Sequence, residues 1–196
     1  MRPSLSRASK RPNSLAVPRL RRAKPRSERR AERALIDDPT VVLDAALRFL
    51  EARPRSAAEV RRRLTGAGYR EELVATAIDR LAELGVLDDE AFARAWVESR
   101  DRARPRGERA LRSELSRKGI DRQLAHDVLD ERATEQPDAD AAAARRVLER
   151  HANALARVAD PRARRERAYA LLARNGFDSE TTLEAIAAML PRDSEG

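Results

Sequence analysis

Leu115-Ser116-Arg117-Lys118-Gly119-Ile120 reads as the end of a helix: a leucine, three residues, a glycine and a large apolar residue. The same pattern stands at Leu64-Thr65-Gly66-Ala67-Gly68-Tyr69 and at Leu172-Ala173-Arg174-Asn175-Gly176-Phe177, at offsets of 51 and 57 residues. Four residues before each leucine lies Val60, Leu111 or Ala168, one helical turn away. Nine residues after each closing apolar residue lies Ile78, Leu129 or Ile186. Upstream stand Pro54-Arg55-Ser56, Pro105-Arg106-Gly107 and Pro161-Arg162-Ala163. The leucine faces a small core, and the glycine supplies the positive φ that closes the helix. The next apolar residue plugs the core, and Asp121 or Asp178 caps the helix that follows.

Punctuation elsewhere agrees. Asp38-Pro39 is an N-cap with proline at the first helical position. The helix after it carries Leu43, Ala46, Leu47 and Leu50 on one face. Ser56-Ala57-Ala58-Glu59 has the form of a capping box. Leu73, Ala77, Ile78, Leu81 and Leu84 line a third helix that stops at Gly85, and Asp88-Asp89 opens a fourth. A unit of roughly 50 residues buries little surface alone, so copies should support one another in sequence. The pattern predicts an all-α chain of three tandem three-helix, helix-turn-helix-like repeats in an elongated array. Their expected spans are 38–87, 88–136 and 137–191, preceded by a disordered basic arm over 1–37 and followed by a tail over 192–196.

Aromatic residues make up only 3% of the chain, so Leu, Ala, Val and Ile must build the cores. Residues 1–40 hold 12 Lys+Arg against 4 Asp+Glu, which accounts for the whole net charge of +8 and leaves the remainder balanced. Pro3, Pro12, Pro18 and Pro25 punctuate this Arg- and Ser-rich segment, which shows no apolar periodicity. Its composition also suits an organelle transit peptide, but the prolines work against the amphipathic helix such peptides form. The preference for Arg over Lys matches a GC-rich genome without invoking function.

With no cysteine, the chain offers neither disulfides nor thiolate ligands nor a thiol nucleophile, which fits a cytoplasmic protein. No apolar run approaches membrane-spanning length. Asp88 and Asp89 read as helix caps before they read as metal ligands. His126 and His151 lack neighbours at zinc spacing, and Gly66-Ala67-Gly68 is a helix end rather than a phosphate loop. Trp96 shares a helix face with Phe92, Ala93 and Val97, which favours packing over base stacking. No cofactor, metal or catalytic residue is expected.

Several stretches together resemble the RecX family of bacterial recombination regulators. They are Arg53-Pro54-Arg55-Ser56 with Glu59 and Leu64; Leu81 through Leu84-Gly85-Val86-Leu87-Asp88-Asp89; Phe92-Ala93; and Glu114 through Ile120. The likeness covers about residues 43–190, more loosely from Arg174 onward. It implies three tandem three-helix repeats and the RecA recombinase as partner. It further implies binding in the groove of the RecA filament on single-stranded DNA, with inhibition of strand exchange, ATP hydrolysis and the coprotease action of the SOS response. The long basic arm departs from the family pattern.

Arginines recur near the entry to each second helix. Arg61, Arg62 and Arg63 lie on the first copy; Arg102, Arg104, Arg106, Arg109 and Arg112 surround the start of the second, which Arg117 and Lys118 close. Arg162, Arg164, Arg165 and Arg167 follow in the third. A charged face is usually only solvated. Recurrence at one place in each unit would instead make a basic stripe, suited to an acidic filament groove or to phosphates. The expected contact residues are Arg61, Arg62, Arg104, Arg106, Arg109, Arg112, Arg117, Lys118, Arg164 and Arg165. The expected partners are the RecA filament and, weakly and without sequence preference, single-stranded DNA, with the chain a monomer. The rival reading is a helix-turn-helix transcription regulator, which normally presents one recognition helix per subunit in a dimer.

Overall fold

The computed structural model describes residues 24–190, all of whose regular elements are helices. They are α1 (Arg26–Ala34), α2 (Pro39–Leu50), α3 (Ala57–Ala67), α4 (Glu71–Glu83), α5 (Asp89–Ala103), α6 (Glu108–Lys118), α7 (Arg122–Glu135), α8 (Ala139–Ala156), α9 (Pro161–Arg174) and α10 (Ser179–Met189). The helices α2–α4, α5–α7 and α8–α10 pack as three separate bundles. Each has its own apolar centre, around Leu81, Leu115 and Leu172 respectively. The residues that the repeat pattern turned inward are all buried: Val60 and Leu64, Leu111 and Leu115, Ala168 and Leu172, with Ile78, Leu129 and Ile186. Leu84 differs: it is exposed, because α4 has ended there.

Each second helix stops in the same way. At α6 the Gly119 amide donates to the Ser116 carbonyl (2.9 Å) and the Ile120 amide to the Leu115 carbonyl (3.1 Å). This is the paired closure of a Schellman motif, and Gly119 takes a φ of +81° to make it. The equivalent pairs close α3 at Gly68 and α9 at Gly176. Starts are equally explicit. The carboxylates of Asp38, Asp88, Asp121, Asp160 and Asp178 accept amides in the first turns of α2, α5, α7, α9 and α10. These bonds satisfy amides that a helix leaves orphaned.

Three local expectations are corrected. The arm expected to be disordered to residue 37 contains a helix, α1, over Arg26–Ala34; residues 1–23 lie outside the described residues, as does the tail. Pro161 is not the counterpart of Pro54 and Pro105. It is the first residue of α9, preset for helix by its fixed φ and capped by Asp160, so α9 runs 14 residues against 11 in α3 and α6. The capping box at Ser56 is half formed. Ser56 Oγ accepts the Glu59 amide (3.2 Å), but the Glu59 carboxylate is drawn away to Lys118 Nζ (2.9 Å) and Arg53.

The bundles meet through helix ends, and the two junctions are alike. The N-terminus of α3 meets the C-terminus of α6: Ser56 Oγ donates to the Lys118 carbonyl (2.6 Å), and a side chain at Gly119 would collide with Ala58. The N-terminus of α6 meets the C-terminus of α9 in turn, with the Gly107 amide donating to the Asn175 carbonyl (3.1 Å). A β-carbon at Gly107 would lie 2.5 Å from the Gly176 backbone, so no side-chain cap fits there. An aspartate from the neighbouring element completes each joint. Asp89 accepts the Ala57 amide (2.8 Å), and Asp140, 51 residues on, accepts the Glu108 amide (3.0 Å). At both joints a helix end rich in amides therefore faces one rich in carbonyls, a favourable dipole arrangement. The first and third bundles share no hydrogen bond or ion pair among the described residues.

Candidate binding interface

The ten cations expected to form a stripe fall into different settings. Arg62, Arg117 and Lys118 come together at the first junction. Arg62 donates to the Arg117 carbonyl (3.3 Å), capping the C-terminus of α6 from the neighbouring bundle. Lys118 is part-buried and bonded to Glu59. Arg106 lies at the second junction, bonded to Asn175 Oδ1 and 3.7 Å from Glu114. Arg164 donates to the Val158 carbonyl (3.1 Å) and Arg165 to the Leu190 carbonyl, so both tie chain segments within the third bundle. Arg61 stands 4.0 Å from Glu71, and Arg112 pairs with Glu108 one turn before it. Arg104 and Arg109 are exposed, and their side chains have neither hydrogen-bond nor ion-pair partner among the described residues. The guanidiniums most available to a ligand are thus Arg104 and Arg109, then Arg61 and Arg112, whose pairs are exposed and weak.

The first junction also builds a small cluster that spacing alone does not reveal. Trp96 is flanked by the Arg100 guanidinium at 4.2 Å and the Lys118 ammonium at 4.4 Å from its ring centroid. Its indole N–H donates to Glu114 (2.9 Å), which also accepts from Arg100 Nε (2.6 Å). With Glu59 and Arg117 these groups border a depression of about 340 Å³. Burial pushes the Glu59 carboxyl up, but its bonds to Lys118 and Arg53 outweigh that and hold it below its ordinary value. Trp96 packs against Phe92, as its helical spacing anticipates, and adds a cation–π contact with Lys118 between α5 and α6 of the second bundle.

Deeper in the second junction lies an ionic network. Arg132 is buried; its guanidinium holds Asp101 through two bonds (2.8 and 2.9 Å) and Asp140 through a third (2.7 Å). Burial opposes the charge, and the two carboxylates overcome it, raising the Arg132 pKa. Arg146 and Arg150 donate to the carbonyls of Asp101 and Ala103 at the end of α5 (2.7 and 3.0 Å).

At the other end of the array, α1 leans on α3 and forms a groove of about 770 Å³ that sequence reasoning did not anticipate. The signal was present: Arg26, Arg29 and Arg33 follow helical spacing. A packed helix announces itself by an apolar period, and this one is cationic.

Asp88 and Asp89 serve as helix caps, and His126 and His151 make local contacts with Asp130 and the Val147 carbonyl. Among the described residues no group of three or more potential ligands could hold a metal ion, and no helix is long and apolar enough to cross a membrane.

Comparison with known proteins gives one consistent result. Residues 43–81 match the family model of the first three-helix domain of RecX, and residues 88–129 that of its second. A regulatory protein RecX of Mycobacterium sp. (strain JLS) is 37% identical over 163 residues, spanning 76% of this chain and 81% of the relative. That of Mycobacterium tuberculosis (strain ATCC 25177 / H37Ra) is 35% identical over 155 residues, spanning 76% and 86%. A crystal structure of RecX from Lactobacillus salivarius superimposes with a TM-score of 0.64 at 23% identity, over 78% of this chain and 97% of that one. A second crystal structure, of regulatory protein RecX, gives 0.67 at 20% identity over 79% and 73%. These two likenesses speak for the fold.

Proposed function

The chain belongs to the RecX family, and on that premise we propose that it regulates the RecA recombinase, mainly as an inhibitor, by binding along the RecA filament on single-stranded DNA. The protein does no chemistry of its own in this reading. It occupies the filament groove, hindering the second duplex and the repressor that use it, and so depresses strand exchange, ATP hydrolysis and coprotease action. It works as a monomer in the cytoplasm, with single-stranded DNA as a weak second partner.

The repeated junction is the observation that carries this reading. Two equivalent joints set three bundles in file, each presenting arginines near the start of its second helix. A partner that repeats its own surface can be met at several modest patches at once, and linked patches gain affinity together. Binding that favours one arrangement of filament subunits then shifts the filament toward that arrangement.

The test is RecA's DNA-dependent ATPase with purified protein added at substoichiometric amounts. Inhibition is expected, and weaker inhibition from the variant Arg109→Glu/Arg112→Glu. No effect at equimolar protein rejects the reading. Tight, sequence-selective binding to duplex DNA without RecA would favour the transcription-regulator alternative.

A further inference from the structure

Six arginines line the groove between α1, α2 and α3: Arg26, Arg29 and Arg33 from α1, Arg48 from α2, and Arg62 and Arg63 from α3, of which Arg62 turns its guanidinium to the Arg117 carbonyl at the first junction. No carboxylate lines it. Elsewhere on this protein arginines commonly find acids, as Arg94 does with Glu90 and Glu131 and Arg132 with Asp101 and Asp140. Among the described residues none of these six has a carboxylate within 4.0 Å. The like charges of the five other than Arg62 around one concavity repel one another unless an anion lies among them.

The placement of α1 makes the groove. The Arg33 guanidinium donates to the Ala67 carbonyl (3.3 Å) at the C-terminus of α3, where a cation meets the negative helix end. Arg30 lies against Gly68, so closely that a β-carbon there would be 2.5 Å from its Cγ and 2.6 Å from its carbonyl oxygen. Two flat surfaces also border the groove: Arg63 stacks over Phe49 at 5.5 Å and Arg33 over Tyr69 at 5.5 Å. Guanidinium planes and aromatic rings are the surfaces on which unpaired bases stack.

We propose that this groove is a binding site for single-stranded nucleic acid, its arginines on the phosphates and its arginine–aromatic stacks against the bases. The volume suits a few unpaired nucleotides and is far too small for a duplex. A polymer is favoured over a lone phosphate by the chain leading into α1. Residues 1–23 carry seven Lys+Arg and no acid, so cationic sequence continues directly from the site. The proposal rests on the single-strand part of the reading above and is independent of any effect on the recombinase.

The test uses full-length protein without recombinase and a fluorescein-labelled 15-residue oligothymidylate, with anisotropy read at 50 to 200 mM NaCl. The variant Arg26→Gln/Arg29→Gln/Arg48→Gln removes three groove cations that bridge no carboxylate. Its expected salt dependence (log K against log salt) is shallower by about 2, at ~0.7 per phosphate contact on a single strand, with affinity at least roughly tenfold weaker. The control Arg145→Gln/Arg157→Gln/Arg174→Gln removes the same charge from exposed positions of the third bundle and should lose far less. Circular dichroism checks that both variants fold. An unchanged groove variant, or equal losses in the two triples, overturns the assignment. So does a 15-base-pair duplex binding as tightly as the single strand. The recombinase ATPase, run separately, can fail without touching this result, and the reverse.

Discussion

Removing the Asp140 carboxylate should weaken the chain at its second joint by about 2–3 kcal/mol. Asp140 holds two groups at once: Arg132 Nη1 at 2.7 Å and the Glu108 amide at 3.0 Å. The first is a charge-assisted bond to a buried guanidinium, of a kind contributing ~1.5–3 kcal/mol. The second supplies to α6 the cap that Gly107 cannot, and a lost cap costs about 1 kcal/mol. Together these approach 4 kcal/mol, but the Asp140 side chain keeps 21% of its exposure and water can replace part of what is lost, which lowers the figure. With a urea slope of about 2 kcal/mol per molar, Asp140→Ala moves the unfolding midpoint down by about 1 M. Trp96, the only tryptophan, lies in the second bundle, so its fluorescence reads the bundle that loses the cap. Asp140→Asn keeps an acceptor for the Glu108 amide and should cost about half as much. A midpoint for Asp140→Ala indistinguishable from the parent's, or a larger loss for Asn than for Ala, would refute the account of the joint.

Two further predictions come from the helix ends. Gly85→Ala and Gly119→Ala impose similar strain, since both glycines have positive φ (+66° and +81°), costing about 1–2 kcal/mol each. At Gly85 the new methyl meets open space, whereas at Gly119 it collides with Ala58 across the first joint, so the second variant should unfold at a clearly lower urea concentration; equal midpoints would contradict that. Acid should also weaken the fold. Hydrogen bonds from Thr40, from the Gln123 and Leu124 amides and from the Thr181 amide hold the carboxyls of Asp38, Asp121 and Asp178 below their ordinary 3.8. Groups lowered in the folded state lend stability above the unfolded value, and that stability drains as pH falls through the folded values. Urea midpoints should therefore drop from about pH 4 downward, less steeply in Asp121→Asn/Asp178→Asn; parallel profiles for parent and variant would dismiss the caps as the cause.

The bundles were legible because their signals are local. A leucine, a glycine four residues on and an apolar plug lie within one helix end, and each dictates its own geometry at Leu64, Leu115 and Leu172. The joints were not legible, because their partners are remote along the chain: Ser56 with Lys118, Gly107 with Asn175, Glu108 with Asp140. Nothing at Asp89 separates a cap for its own helix from an acceptor for Ala57, 32 residues away. The recurrence of arginines was visible in the sequence, but which guanidiniums would be tied to carbonyls, like Arg164 and Arg165, depends on how loops fold back. The helix α1 escaped notice for a different reason. None of its residues is buried, so it lacks the apolar period by which helices are usually found.

The likeness of the two joints makes length a separable trait of this architecture. The first and second bundles each offer a plug at the start of the second helix, the second and third each a socket at that helix's end, and each plug fits the next bundle's socket. Duplicating the middle bundle would bring both halves of the fitting with it, so the chain could grow by a copy without inventing a new surface. Reach along a partner could then be adjusted in whole steps, while the termini, α1 over Gly68 and the self-capped Asp160, stay as end pieces.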